Sequence, residues 1–210
     1  MITSDSLTSL RDEIGSRLSK KRYTHTLGVE RAARILGNHC LPERILELSA
    51  AALLHDIAKE LPRHEQLRLM DQSEQSFSEE DFESEALFHA FAAPVVIKAE
   101  FPEFAKKDIL SSVFLHTSGG ADMSLFDEII FLADFVEDGR EYDACRELRA
   151  ELFHALENAD NIEERCKILH YSVLRVIDFT IYYLRENKKQ INGRMLLARS
   201  AIADKLISVL

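Results

Sequence analysis

The sequence predicts an all-α fold. Apolar residues recur at spacings of three and four along nearly every segment, the spacing of a buried helical face. Leu, Ala, Glu, Arg and Lys dominate the composition, all of them good helix formers. Seven Gly, four Pro and no Trp in 210 residues leave few turn signals and few strand formers.

The elements follow in order. Residues 5–19 form a first helix, with Leu7, Leu10, Ile14 and Leu18 on one face. Residues 24–39 form a second, with His25, Val29, Ala32, Ala33 and Leu36 on its buried side. Gly28 lies on that same face, where a glycine costs roughly 1 kcal/mol against Ala. Either close helix packing or close approach of another group to the backbone explains it. Pro42 suits the first turn of a third helix, which runs through His55-Asp56 and stops at Pro62. A short helix covers 63–70, a polar loop 71–80 and a long helix 79–99, with a kink expected at Pro94. Further helices span 105–117, ending at Thr117-Ser118-Gly119-Gly120, and Ser124 to about Asp138. The chain closes with helices near 143–158, 161–187 and 192–209. The last two are amphipathic without clustered chemistry and read as a cap or a homodimer surface.

Composition excludes several classes. A net charge of −10 does not suit a nucleic-acid polymer, which needs a basic surface. A phosphate ligand stays possible if metal ions and a few Lys or Arg supply positive charge locally. The first residues have neither the basic start nor the apolar core of a signal peptide, and no apolar run of about 18 residues spans a membrane. Cys40, Cys145 and Cys166 are odd in number and widely spaced, which fits free thiols in a reducing cytoplasm.

The chemistry centres on Ala50-Ala51-Ala52-Leu53-Leu54-His55-Asp56-Ile57-Ala58-Lys59. An apolar run delivers a histidine and an aspartate side by side. A buried charge is costly unless paired or bound to a metal, and imidazole with carboxylate suits Zn, Mn or Fe. A helix end with a capped histidine and a solvated aspartate explains the same residues. His25, His89 and His116 also sit in or beside apolar helical stretches, whereas His39, His64, His154 and His170 lie in more polar surroundings. Asp134 is the sharpest case: a carboxylate inside Ile129-Ile130-Phe131-Leu132-Ala133-Asp134-Phe135-Val136 must find a cation or donors.

The order His25, His55-Asp56, His89, His116, Asp134 resembles the HD-domain metal-dependent phosphohydrolases. The matching motifs are Arg22-x-x-His25-x-x-Gly28-Val29, Leu54-His55-Asp56-x-x-Lys59, Leu87-Phe88-His89, His116-Thr117-x-Gly119 and Ala133-Asp134-x-x-Glu137-x-Gly139-Arg140. They look like the YqeK-type branch, bacterial hydrolases that split diadenosine tetraphosphate symmetrically into two ADP. The resemblance covers roughly residues 15–160. Where the branch usually has Glu-Pro-Gly-Arg, this chain has Glu137-Asp138-Gly139-Arg140, and its tail beyond about 190 is long for the branch.

The resemblance implies an HD-domain helical bundle forming one domain over residues 1–210, with residues 161–210 as packing or dimer helices. It implies two divalent metal ions, iron first and manganese as the alternative. His25, His55, Asp56 and Asp134 would hold one ion; Asp56 would bridge to a second, completed by His89 and His116. His55, Asp56, Lys59 and Asp134 would be catalytic. His25, Gly28, Lys59, His116, Thr117 and Arg140 would contact the nucleotide, with Gly28 letting it lie against the helix. Lys59 and Arg140 also fit plain surface charges. The alternatives are an HD-type hydrolase of a nucleoside monophosphate, a deoxynucleotide or a guanosine alarmone, or a non-catalytic nucleotide-sensing module, although such modules typically lose ligands.

Overall fold

Short capping motifs and long apolar stripes set the helices of this chain, and a computed structural model describes residues 1–207 of them. Eleven α-helices occur among the described residues. Thr3 caps α1 (Ser4–Arg17), its hydroxyl accepting from the Ser6 N–H. Ser19 caps α2 (Lys20–Cys40) through the Arg22 N–H. Then follow α3 (Ile45–Leu54), α4 (Arg63–Asp71), α5 (Glu79–Glu83), α6 (Phe88–Glu100) and α7 (Lys107–Leu115). A capping box at Ser124 and Asp127 starts α8 (Leu125–Val136). The chain continues through α9 (Asp143–Asn158), α10 (Ile162–Glu186) and α11 (Gly193–Ile207). The all-α expectation holds.

Helices α2, α3, α7 and α8 pack on one another around one apolar cluster. Leu48, Ala50, Ala51, Ala52, Leu53 and Leu54 are all fully buried in it, which makes α3 the innermost helix. α1 covers α3 from one side, α4 lies on α6, and α10 spans α2, α8, α9 and α11. No described helix is long and apolar enough to cross a membrane.

Two elements differ from the sequence reading. The third helix ends at Leu54, and His55 to Glu60 follow as tight turns, with Ile57 N–H on Leu54 O at 3.1 Å and Lys59 N–H on Asp56 O at 2.9 Å. The Gln66 amide donates to the carbonyls of Ala58 and Leu61, both at 3.0 Å, and satisfies groups that a continuing helix would have used. The helix expected over 79–99 is broken at Ser84, where α5 ends, and Asp81 of α5 is held by Asn192 at 2.9 Å and Arg194 at 3.0 Å. α6 runs on through Pro94. Of the helix expected near 192–209, residues 208 and 209 lie outside the described residues.

The C-terminal helices are tied to the rest by buried polar groups. The fully buried Glu128 carboxylate of α8 meets His170 Nδ1 of α10 at 2.5 Å and Lys205 Nζ of α11 at 2.6 Å. His170, read as a residue of polar surroundings, is thus a partner of a core carboxylate.

Candidate metal centre

The site gathers at the C-terminal ends of α3, α7 and α8, the start of α6 and the second turn of α2. Helix C-termini carry a partial negative charge, and three of them converging favour a cation. His55 and His116 stand in the same local setting, each as the residue that ends its helix. His55 Nδ1 lies 2.7 Å from Ala52 O, and His116 Nδ1 lies 2.6 Å from Val113 O. A carbonyl only accepts, so each Nδ1 carries the proton and donates. Each Nε2 is left as the bare nitrogen aimed into the site, the arrangement that metal-binding histidines use.

Asp56 is the hub. Its Oδ1 faces His89 Nε2 at 3.2 Å and His116 Nε2 at 3.7 Å. Its Oδ2 faces His55 Nε2 at 3.4 Å and His25 Nε2 at 3.7 Å. His25 Nε2 also lies 3.1 Å from Asp134 Oδ1. His89 and His116 bring their Nε2 atoms to 3.1 Å from one another. The donor atoms of His25, His55 and Asp134 all lie within 4.8 Å of one another, as do those of His55, Asp56 and His116. The structure therefore brings together the six residues singled out in the sequence, from five separate elements.

Cations surround these carboxylates. Arg22 Nη1 reaches Asp56 Oδ2 at 2.7 Å, and Arg140 reaches the Asp134 carbonyl at 2.7 Å through Nε and its Oδ1 at 2.6 Å through Nη2. Lys59 Nζ lies against the His89 ring, 3.2 Å from Nδ1. Thr117 Oγ1 is 3.4 Å from His89 Nε2. Burial alone would raise the Asp56 carboxyl, yet His55, His116 and His89 hold it well below the usual carboxylate range. Burial is likewise outweighed at Asp134 by Arg140 and His25. Burial pushes the His89 imidazole down to about 4. Burial also disfavours charge on His25, but contact with Asp134 and Glu137 overrides it and raises the imidazole to about 9. Burial lowers Lys59.

These residues fit a divalent metal. The buried Nε2 of His55 has no hydrogen-bond partner among the described residues, and a buried nitrogen without a partner is costly unless something binds it. Two ionised carboxylates beside histidine nitrogens supply charge for a dication.

Two residues were missing from the candidate set. Glu137, 4% exposed in its side chain, places Oε1 3.1 Å from His25 Nδ1 and so orients the ring as a carboxylate behind a ligand does. Its signal was its position one turn after Asp134 on the way out of the same helix. Arg22 stands one turn before His25 and meets Asp56. A Cβ on Gly28 would stand 2.3 Å from Glu137 Oε2 and 3.0 Å from Asp138 Oδ1, so side chains of the loop after α8 fill the space beside it. Gly28 is the gap that lets Glu137 reach His25.

Known proteins share this organisation. A family model described as HD domain matches residues 22–138. The chain is 31% identical over 137 residues to a symmetrical bis(5'-nucleosyl)-tetraphosphatase of Halalkalibacterium halodurans, covering 64% of this chain and 70% of that one. A protein of the same description from Bacillus subtilis is 29% identical over 136 residues, covering 65% and 72%. A solved structure from Clostridium acetobutylicum, described as a predicted HD superfamily hydrolase involved in NAD metabolism, superposes with a TM-score of 0.80 at 26% identity, covering 94% of this chain and 97% of that one. That coverage carries the likeness into the C-terminal helices. The chain therefore belongs to the HD-domain family of metal-dependent phosphohydrolases.

Proposed function

We propose that this protein hydrolyses diadenosine tetraphosphate symmetrically to two ADP, using two divalent ions, iron first and manganese as the alternative. The observation that carries this reading is Asp56, whose two oxygens face two different sets of ring nitrogens. A carboxylate so placed can bridge two ions; an imidazole cannot. His25, His55 and Asp134 would hold one ion with Asp56 Oδ2, and His89 and His116 the other with Oδ1. The tetraphosphatase relatives support the substrate.

Bound there, the ions would supply a hydroxide at neutral pH and neutralise the phosphates. The water oxygen forms a bond to one central phosphorus, and the bond from that phosphorus to the bridging oxygen of the other central phosphate breaks. Each half leaves as ADP, and protons go to solvent. Arg140, held by Asp134 at the rim, can release one amino group to grip a phosphate. Lys59, its charge disfavoured by burial, is suited to give a proton to the leaving oxygen. Thr117 offers a hydroxyl beside His89.

Incubation of iron- or manganese-loaded protein with diadenosine tetraphosphate tests this. ADP alone is expected; AMP plus ATP overturns the symmetric reaction, and no cleavage overturns the substrate. His89→Ala and His116→Ala should lower the metal content from two ions to one. A second reading, hydrolysis of the pyrophosphate link of NAD, is favoured by the description of the Clostridium neighbour; NAD in the same assay decides between them. The three free thiols fit a cytoplasmic protein. A homodimer through the C-terminal helices would use exposed Tyr171, Phe179 and Tyr182 on α10, and sedimentation tests it.

A further inference from the structure

A cleft of about 1170 Å³ opens beside His25, between the start of α2 and the loop that joins α8 to α9. Arg22 and Arg140 line it and reach from it to Asp56 and Asp134, so its inner end is the candidate metal centre itself. Lys20 and Lys21 stand exposed on one wall. Neither has an ion-pair partner among the described residues. The opposite wall carries Glu137, Asp138 and Glu141, but two of these are engaged. Glu137 is turned to His25 and to the Gly139 N–H at 2.6 Å, and Asp138 is paired with Arg31 at 2.8 Å. The cleft therefore offers an excess of free positive charge in a chain whose net charge is −10.

Tyr142 stands at the outer rim with its side chain open to solvent, 74% exposed. Its backbone is nonetheless fixed. It caps α9, its carbonyl accepting from Cys145 at 2.9 Å and Arg146 at 3.0 Å. Arg149 braces the loop from beneath through the carbonyls of Val136, Glu137 and Arg140 at 2.6–2.8 Å. A large aromatic ring on a fixed backbone beside unpaired lysines is a platform for a base that trails a phosphate chain.

We infer that this cleft binds one nucleoside diphosphate half of the substrate, with Lys20 and Lys21 on its phosphates and Tyr142 stacked on its base. This rests on the dinucleotide reading of the metal centre and names where one half lies. Lys20 and Lys21 extend the cationic track outward from Arg22, and Tyr142 supplies selectivity for a base over a bare polyphosphate.

Calorimetric titration of the manganese-loaded full chain with ADP and with inorganic pyrophosphate tests it. Tyr142→Ala should weaken ADP binding about tenfold, within the range of one stacked base, and leave pyrophosphate binding unchanged. Tyr142→Phe should restore it. The double variant Lys20→Ser, Lys21→Ser should weaken both ligands and reduce the salt dependence of each. All three side chains are exposed, and a thermal melt confirms folding. Unchanged ADP affinity in both Tyr142→Ala and the lysine variant overturns the proposal, as does equal weakening of ADP and pyrophosphate by Tyr142→Ala. The two readings fail separately. Cleavage to two ADP with unmoved ADP affinities removes the subsite alone; ADP bound through Tyr142 without cleavage removes the reaction alone.

Discussion

Glu137→Gln isolates the carboxylate behind His25. In the wild type, His25 carries a proton up to about pH 9, because Asp134 and Glu137 hold it against the cost of burial. A metal must displace that proton. At pH 7 the competition costs two pKa units, about 2.7 kcal/mol of metal affinity. Apparent affinity should therefore climb about tenfold per pH unit from 7 to 9. Glutamine keeps the shape and the contact at 3.1 Å but removes one of the three carboxylates that raise His25. Its affinity should stop climbing at a lower pH. Above about pH 10, where His25 has lost its proton in both proteins, the loss of orientation and ligand basicity stands alone, and such partners are worth about 10–100-fold in affinity. Manganese titration of metal-free protein against a competing chelator at several pH values measures both effects. Identical affinities and identical pH profiles would refute the role of Glu137 and the ligand role of His25 together.

Gly28→Ala should mimic Glu137→Gln in metal affinity, since its Cβ displaces the Glu137 carboxylate; a fully retained affinity in the same titration would show that the loop yields at no cost. Arg140→Ala strips the cation from Asp134, so the metal-free protein should lose about 2 kcal/mol and the metal-loaded protein less, as read by paired thermal melts. Metal-free protein should be most stable near pH 6.5, as denaturant titrations across pH can follow. His25, raised to about 9, contributes about 3 kcal/mol below pH 6.5 that is lost as pH rises through 9. His89, lowered to about 4, favours the unfolded chain as pH falls from 6.5 toward 4, and Asp56 and Asp134 add to the loss at still lower pH. Glu128→Ala should cost roughly 3 kcal/mol by urea denaturation, because it removes the buried carboxylate that ties α8 to α10 and α11.

The helical class, most helix positions and the six residues that converge at the site were legible in the sequence. These are local or nearly local signals. Apolar spacing encodes a buried face, and a carboxylate such as Asp134 inside an apolar run announces that something must neutralise it. The span of α9 was legible to the residue, because its stripe and its ends are all in the chain itself. What no local pattern carries is which distant group meets which. Asp81, beside the break at Ser84, meets Asn192 and Arg194, more than a hundred positions away. The end of α3 at Leu54 depends on Gln66 taking up two carbonyls after the turn. Gly28 looked open from its own helix, and only packing of α2 against the loop after α8 fills the space with Glu137. Asp56 was visible as a charge among apolar residues. That its two oxygens face two separate sets of histidines is a property of five elements converging, and only the tertiary structure decides it.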